Sequence, residues 1–170
     1  MSASTPTFDD LVEDARAVAA LLVAHGQRVA VAESSTGGLI SAALLAVPGA
    51  SAYFLGGGVV YTPRARHRLL DLKREEVRGI RSASEPYAQV LAERAQSRFK
   101  ADWGLAETGA SGPTGNPYGD AAGHSCLAVA GPRALVSQTL ETGETDRLGN
   151  MLAFSRAALS LLRSEIELQG

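Results

Sequence analysis

Apolar residues recur at helical spacing through residues 8–24, at Phe8, Leu11, Val12, Ala15, Val18, Ala19 and Leu22, which predicts an amphipathic helix. Thr5 or Thr7 can cap its start, and Gly26 ends it after His25. Residues 28–32 then read as a short strand of small and β-branched side chains. A second helix is expected over residues 39–47, closed by Pro48-Gly49, with Ser41, Ala42, Ala43 and Ala46 as a small face suited to close packing on a sheet. Residues 56–62 form a strand entered through three glycines. Pro63 fits the first turn of a helix holding residues 64–70. Ser84 caps a long helix that runs to about Phe99. Residues 103–108 form a third strand and residues 109–123 a turn-rich loop. Two further strands, 126–130 and 135–140, meet in a hairpin around Gly131-Pro132-Arg133, and residues 146–168 end the chain as an amphipathic helix. Helices thus alternate with strands, the pattern of an α/β domain with helices on both faces of a mixed sheet.

Composition narrows this only a little. The 170 residues, read as one domain over 1–170, are 45% hydrophobic and 20% charged, an ordinary globular balance. A formal net charge of −2 gives no bulk attraction to nucleic acid or to an anionic membrane. Basic residues do cluster locally at Arg64, Arg66, Arg68, Lys73, Arg74 and Arg78, as a solvated helical face or as a wall for an anionic small molecule. The single cysteine, Cys126, lies in an apolar run and reads as a small buried hydrophobe. No signal-peptide pattern and no apolar run of membrane-spanning length is present, so a cytoplasmic location is expected. His25, His67 and His124 have no ligand-spaced partners, and no metal site is expected.

Three strand exits are rich in Gly, Ser and Thr, and ligands gather at such exits in open α/β sheets. The first is Glu33-Ser34-Ser35-Thr36-Gly37-Gly38. It is either a well-capped helix start or an anion or oxyanion cradle, with Ser34, Ser35 or Thr36 as cap. The second exit is Val60-Tyr61-Thr62-Pro63. The third runs from Thr108-Gly109-Ala110-Ser111-Gly112-Pro113 to Asp120, a loop of a length that is more often functional than not. It lacks both the Walker A lysine and the dinucleotide-binding glycine spacing.

Together these motifs resemble the CinA C-terminal domain family, the bacterial nicotinamide-nucleotide amidohydrolases. Glu33-Ser34-Ser35-Thr36-Gly37-Gly38 is similar to the family's Glu-Ser-Cys-Thr-Gly-Gly signature. The likeness continues in order through Val47-Pro48-Gly49-Ala50-Ser51, Gly58-Val59-Val60-Tyr61-Thr62, Ser84-Glu85, Thr108-Gly109-Ala110-Ser111-Gly112-Pro113 and Ala128-Val129-Ala130-Gly131. The resemblance implies a single three-layer α/β/α sandwich. It implies hydrolysis of the carboxamide of nicotinamide mononucleotide to nicotinic acid mononucleotide and ammonia, a step of NAD metabolism, with no cofactor. Longer family members carry a further N-terminal domain; this chain would be the stand-alone form, acting on a pyridine nucleotide. Separately, the apolar faces of its terminal helices suggest a homodimer or higher homo-oligomer.

Carried onto this sequence, the resemblance implies Ser34 as nucleophile, with Tyr61 and Arg66 beside it. It implies a substrate site drawn from Glu33, Ser35, Thr36, Gly37, Gly38, Thr108, Gly109, Ser111, Gly112 and Arg147. Amide hydrolysis needs a nucleophile, a proton acceptor and donors to the oxyanion, and these residue types can supply all but the acceptor. Two departures bear on the chemistry. Ser35 stands where the family has Cys, which leaves either serine open as the reactive one. Arg66 stands where the family carries a lysine, and an arginine does not act as a general base. The altered loop Thr114-Gly115-Asn116-Pro117-Tyr118-Gly119-Asp120 reshapes the pocket mouth and would allow an amidohydrolase acting on another substrate, while Arg66 favours a small-molecule (nucleotide) binding domain without hydrolysis.

Overall fold

Alternation along the strands sets up two different cores on the two faces of one sheet. The computed structural model describes residues 5–169. Its sheet has the order β2-β1-β3-β4-β5, from Phe54–Val59 (β2), Val29–Glu33 (β1), Trp103–Ala110 (β3), His124–Ala130 (β4) and Leu135–Glu141 (β5). β1 pairs parallel with β2 and β3, while β4 and β5 continue the sheet antiparallel.

On one face Val29, Val31, Trp103, Leu105, Leu127 and Val129 pack beneath helices α1 (Phe8–His25), α2 (Leu39–Ala46) and α5 (Arg147–Gln169). On the other, Ala30, Ala32, Ala106, Cys126 and Ala128 face α4 (Glu85–Phe99) and the Leu70 end of α3 (Pro63–Leu70). Small side chains let α4 lie very close to this second face: a Cβ on Gly104 would sit 2.0 Å from the Ala92 carbonyl oxygen. α2 approaches the edge strand as closely, since a Cβ on Gly57 would meet Ser41 Oγ at 2.1 Å. The result is the three-layer α/β/α sandwich with a mixed sheet.

Element bounds differ from expectation where pairing or capping competes. β2 ends at Val59: the Val60 amide makes the last bond to β1, on the Glu33 carbonyl (2.6 Å), and Thr62 then caps α3 through Ala65 N (3.1 Å). β3 runs on to Ala110, because antiparallel partners Ser125 and His124 extend the ladder beyond its parallel pairing with β1. The start of α1 is capped by Thr7 in a reciprocal capping box with Asp10.

The chain passes from β1 to β2 on one side and then crosses to β3 on the other. This puts a switch of strand order at β1, the place where the carboxyl ends of parallel strands open a crevice.

Candidate functional site

The exits of β1, β2 and β3 converge on a pocket of about 200 Å³. Ser35 reaches it from the β1 exit and Tyr61 from the β2 exit. Gly109, Ser111 and Gly112 line it from β3 and the loop beyond, and Arg147 from the first turn of α5. Of the residues expected from the sequence, these six share one cavity. Ser111 Oγ is buried and finds no hydrogen-bond partner, an orphan donor and acceptor at the pocket wall. The Arg147 guanidinium donates to the Gly112 carbonyl at 2.5 Å, which fixes a cation at the rim.

The remaining residues of the first turn lie behind this pocket and hold it together. Glu33 and Glu107 are both fully buried. Strand alternation aims both toward the α2 face, with Glu33 one residue past the paired positions Ala32 and Ala106. Glu33 accepts from Gly38 N (3.2 Å), Ile40 N (2.9 Å), Ser41 N (2.8 Å) and Thr36 Oγ1 (2.9 Å). It therefore supplies the N-terminal cap of α2, whose formal cap, Gly38, has no side chain to offer. The serines and the threonine of the turn do not cap this helix. A longer carboxylate reaching in from the strand satisfies three amides at once, more than one hydroxyl can.

Glu107 meets the front of the same turn. Its Oε2 accepts from Ser34 N (3.1 Å), Thr36 N (3.0 Å) and Thr36 Oγ1 (3.0 Å). Its Oε1 accepts from the hydroxyls of Ser35 and, at 3.2 Å, Ser125. The Thr36 hydroxyl lies between the two carboxylates but has one proton, so it serves only one of them at a time. Burial pushes the Glu107 carboxyl above its usual range; hydrogen bonds from Ser35, Thr36 and Ser34 oppose that shift without cancelling it.

The amides of Thr36, Gly37 and Gly38 are thus engaged inside the turn, by Glu107, the Ser34 carbonyl and Glu33 respectively. Ser34, Thr36 and Thr108 are buried without lining the pocket.

Arg66 lies elsewhere. Its guanidinium stacks on Tyr87, 4.8 Å from the ring centre. It donates to the Val60 carbonyl (3.0 Å), Tyr87 OH (2.7 Å) and Ser82 Oγ (3.3 Å). This faces a wide cleft of about 1350 Å³ that it lines with His67, Lys73, Arg74, Arg78 and Arg81. The cleft is larger than the Ser35 pocket, but of the three strand-exit segments it takes in only Pro63 and Tyr118. The outer wall of the small pocket is braced from this side. Asn116 and Asp120 bond each other (Nδ2 to Oδ2, 2.7 Å), and Asp120 pairs with Arg81. Asp120 also lies 3.6 Å from Nε2 of His124, a side chain buried at the start of β4.

Glu107 is the residue that sequence reasoning missed. The available signal was an acid in the otherwise apolar run Trp103-Gly-Leu-Ala-Glu-Thr, at the alternation position shared with Trp103 and Leu105.

A parallel-strand crevice lined by hydroxyl-bearing residues and one arginine, backed by buried carboxylates, is a candidate ligand site of the kind found in α/β sheets. The model of the CinA C-terminal domain matches residues 12–166, and the chain belongs to that family. It is 40% identical over 153 residues to a CinA-like protein of Gloeobacter violaceus, a match covering 89% of this chain and 36% of the relative. It is 41% identical over 147 residues to one from Anaeromyxobacter sp. strain K, covering 86% and 36%. The chain therefore spans about a third of the length of these curated relatives.

Among solved structures it resembles the competence/damage inducible protein CihA of Agrobacterium tumefaciens, with a TM-score of 0.84, 30% identity and coverage of 95% of this chain and 98% of that one. A CinA superfamily protein of Klebsiella pneumoniae gives a TM-score of 0.86 at 26% identity, covering 93% and 98%. No helix among the described residues is long and apolar enough to cross a membrane.

Proposed function

We propose that the chain hydrolyses the carboxamide of nicotinamide mononucleotide, releasing ammonia and nicotinic acid mononucleotide, with a serine of the Ser34–Ser35 turn as nucleophile. The supporting observation is the pocket at the strand exits, where Ser35, Tyr61 and Ser111 line a space of about 200 Å³ beside Arg147. That volume is below the roughly 300–1,000 Å³ of sites that engulf a whole ligand. It suits the pyridine carboxamide alone, with ribose and phosphate reaching toward the rim, where Arg147 offers a guanidinium to the phosphate. Ser111 Oγ gains the partner it lacks when a carboxamide enters. Family membership makes a hydrolase the natural reading of such a site.

A second reading, a nucleotide-binding domain without hydrolysis, draws on Arg66, whose guanidinium is committed to Val60, Ser82 and Tyr87 and activates no serine.

Incubating the purified protein with nicotinamide mononucleotide and measuring ammonia separates the two. Stoichiometric ammonia and nicotinic acid mononucleotide support the amidase. Thermal stabilisation by the nucleotide with no ammonia supports the binding domain.

A further inference from the structure

An amidase serine needs a proton acceptor in contact with its hydroxyl, and few groups near this pocket qualify. Arg66 keeps its proton and faces the other cleft. No histidine, lysine or carboxylate lines the pocket among the described residues, and Glu107 lies behind its wall, bonded to Ser35. Asp120 is held by Arg81 and Asn116. His124 places Nδ1 against Glu141 at 2.5 Å and Nε2 against the Ala83 carbonyl at 2.8 Å. Ser35 is the residue of the first turn that lines the pocket, and its Oγ–H points at Glu107 Oε1.

We propose that Ser35 and Glu107 form the reactive pair of this site: Ser35 Oγ is the attacking atom and Glu107 its proton acceptor. The assignment rests on the amidase reading for its substrate, though not for the reactivity of the pair. Glu107 is built for the task. Two backbone amides, of Ser34 and Thr36, pin Oε2, so the carboxylate cannot rotate away. Oε1 is left facing Ser35, with the Ser125 hydroxyl donating to it from β4. Glu33 is the neighbouring acid, reached through Thr36 Oγ1. A carboxyl raised by burial is a stronger base at neutral pH than an exposed one.

The step balances as follows. Ser35 Oγ bonds to the carboxamide carbon as its proton passes to Glu107. The C–N bond breaks, and the leaving nitrogen takes that proton and departs as ammonia. Water then attacks the ester carbon, giving a proton to Glu107. The ester C–O bond breaks and Ser35 recovers the proton, leaving the carboxylic acid. Amide and water are consumed, and acid and ammonia are formed.

The test uses a phosphonofluoridate probe, which esterifies an activated serine with loss of fluoride and a proton, together with ammonia release from nicotinamide mononucleotide. Peptide mass spectrometry is expected to find the adduct on Ser35. Labelling should rise along an acid limb centred above the ordinary glutamate value of about 4.3. Glu107→Gln is expected to lower labelling and turnover by about 10²–10⁴-fold and to flatten that limb. An adduct on Ser34, or unchanged labelling in Glu107→Gln, overturns the assignment.

The wild-type pH profile and adduct position need no variant, so misfolding of Glu107→Gln leaves the test intact: a limb centred at or below the ordinary value, or no adduct, overturns it. If Ser35 is labelled through Glu107 but no ammonia appears, the pair stands and the nicotinamide mononucleotide reading falls.

Discussion

Two buried carboxylates sit side by side beneath the start of α2, and they do different work. Glu33 ends β1 and gives its oxygens to three amides of the helix and to Thr36. Glu107 lies within β3 and divides its oxygens, Oε2 to the backbone of the turn and Oε1 to the Ser35 and Ser125 hydroxyls. Burial is the same, but the partners are not. A carboxylate saturated by helix amides is a cap. A carboxylate facing a pocket hydroxyl can exchange a proton with it. Partner chemistry, not burial, separates a structural acid from a reactive one.

Removing the cap gives the largest effect. Glu33→Ala strands three amides and the Thr36 hydroxyl without their acceptor. It should cost roughly 3–5 kcal/mol in urea unfolding, a large share of a typical domain's stability. The contrast fails if Glu33→Ala folds as well as the wild type.

Glu107→Gln should reverse that balance, with turnover down about 10²–10⁴-fold and a stability change below about 2 kcal/mol. The pH dependence sharpens it. A carboxyl whose folded value is raised contributes stability below its unfolded value, about 4.3, and loses it as pH rises through the folded value. Glu107→Gln should therefore gain on the wild type as unfolding is measured at increasing pH above that point.

A smaller effect concerns the pocket wall. Burial would lower the His124 value, but hydrogen bonds to Glu141 and the Ala83 carbonyl, with Asp120 nearby, outweigh it and hold His124 above its usual range. Both ring nitrogens face acceptors, which requires the doubly protonated ring. Its stabilisation is fully present below the unfolded value of about 6.5 and lost as pH rises through the folded one. Thermal unfolding of His124→Gln should lack that component.

The smallest effect on turnover is expected from Arg66→Lys. It loses the guanidinium fork to Val60, Tyr87 and Ser82, at about 1–2 kcal/mol by unfolding. Because that side chain faces the other cleft, the variant should raise ammonia release by no more than a few-fold.

Much of this was legible from periodicity and turn chemistry. The spacing of Phe8, Leu11, Ala15 and Leu22, the caps Thr7 and Ser84, and the hairpin at Gly131 were all local signals. The meeting of Ser35, Tyr61, Ser111 and Arg147 was readable only as a set of strand exits, since their adjacency comes from sheet order. The capping role of Glu33 and the contact of Glu107 were not legible. The first depends on a side chain reaching forward as far as Ser41, and the second joins residues 72 apart in sequence. The direction of Arg66 was equally hidden, because it depends on where Tyr87 of α4 packs.

The most direct test of the account is ammonia release from nicotinamide mononucleotide as a function of pH, measured on the wild type and Glu107→Gln together. The account predicts wild-type activity that rises along an acid limb centred above about 4.3, and a variant that is flat and about 10²–10⁴-fold slower. A variant matching the wild type in rate and limb contradicts the role of Glu107, and a wild type that releases no ammonia contradicts the amidase itself.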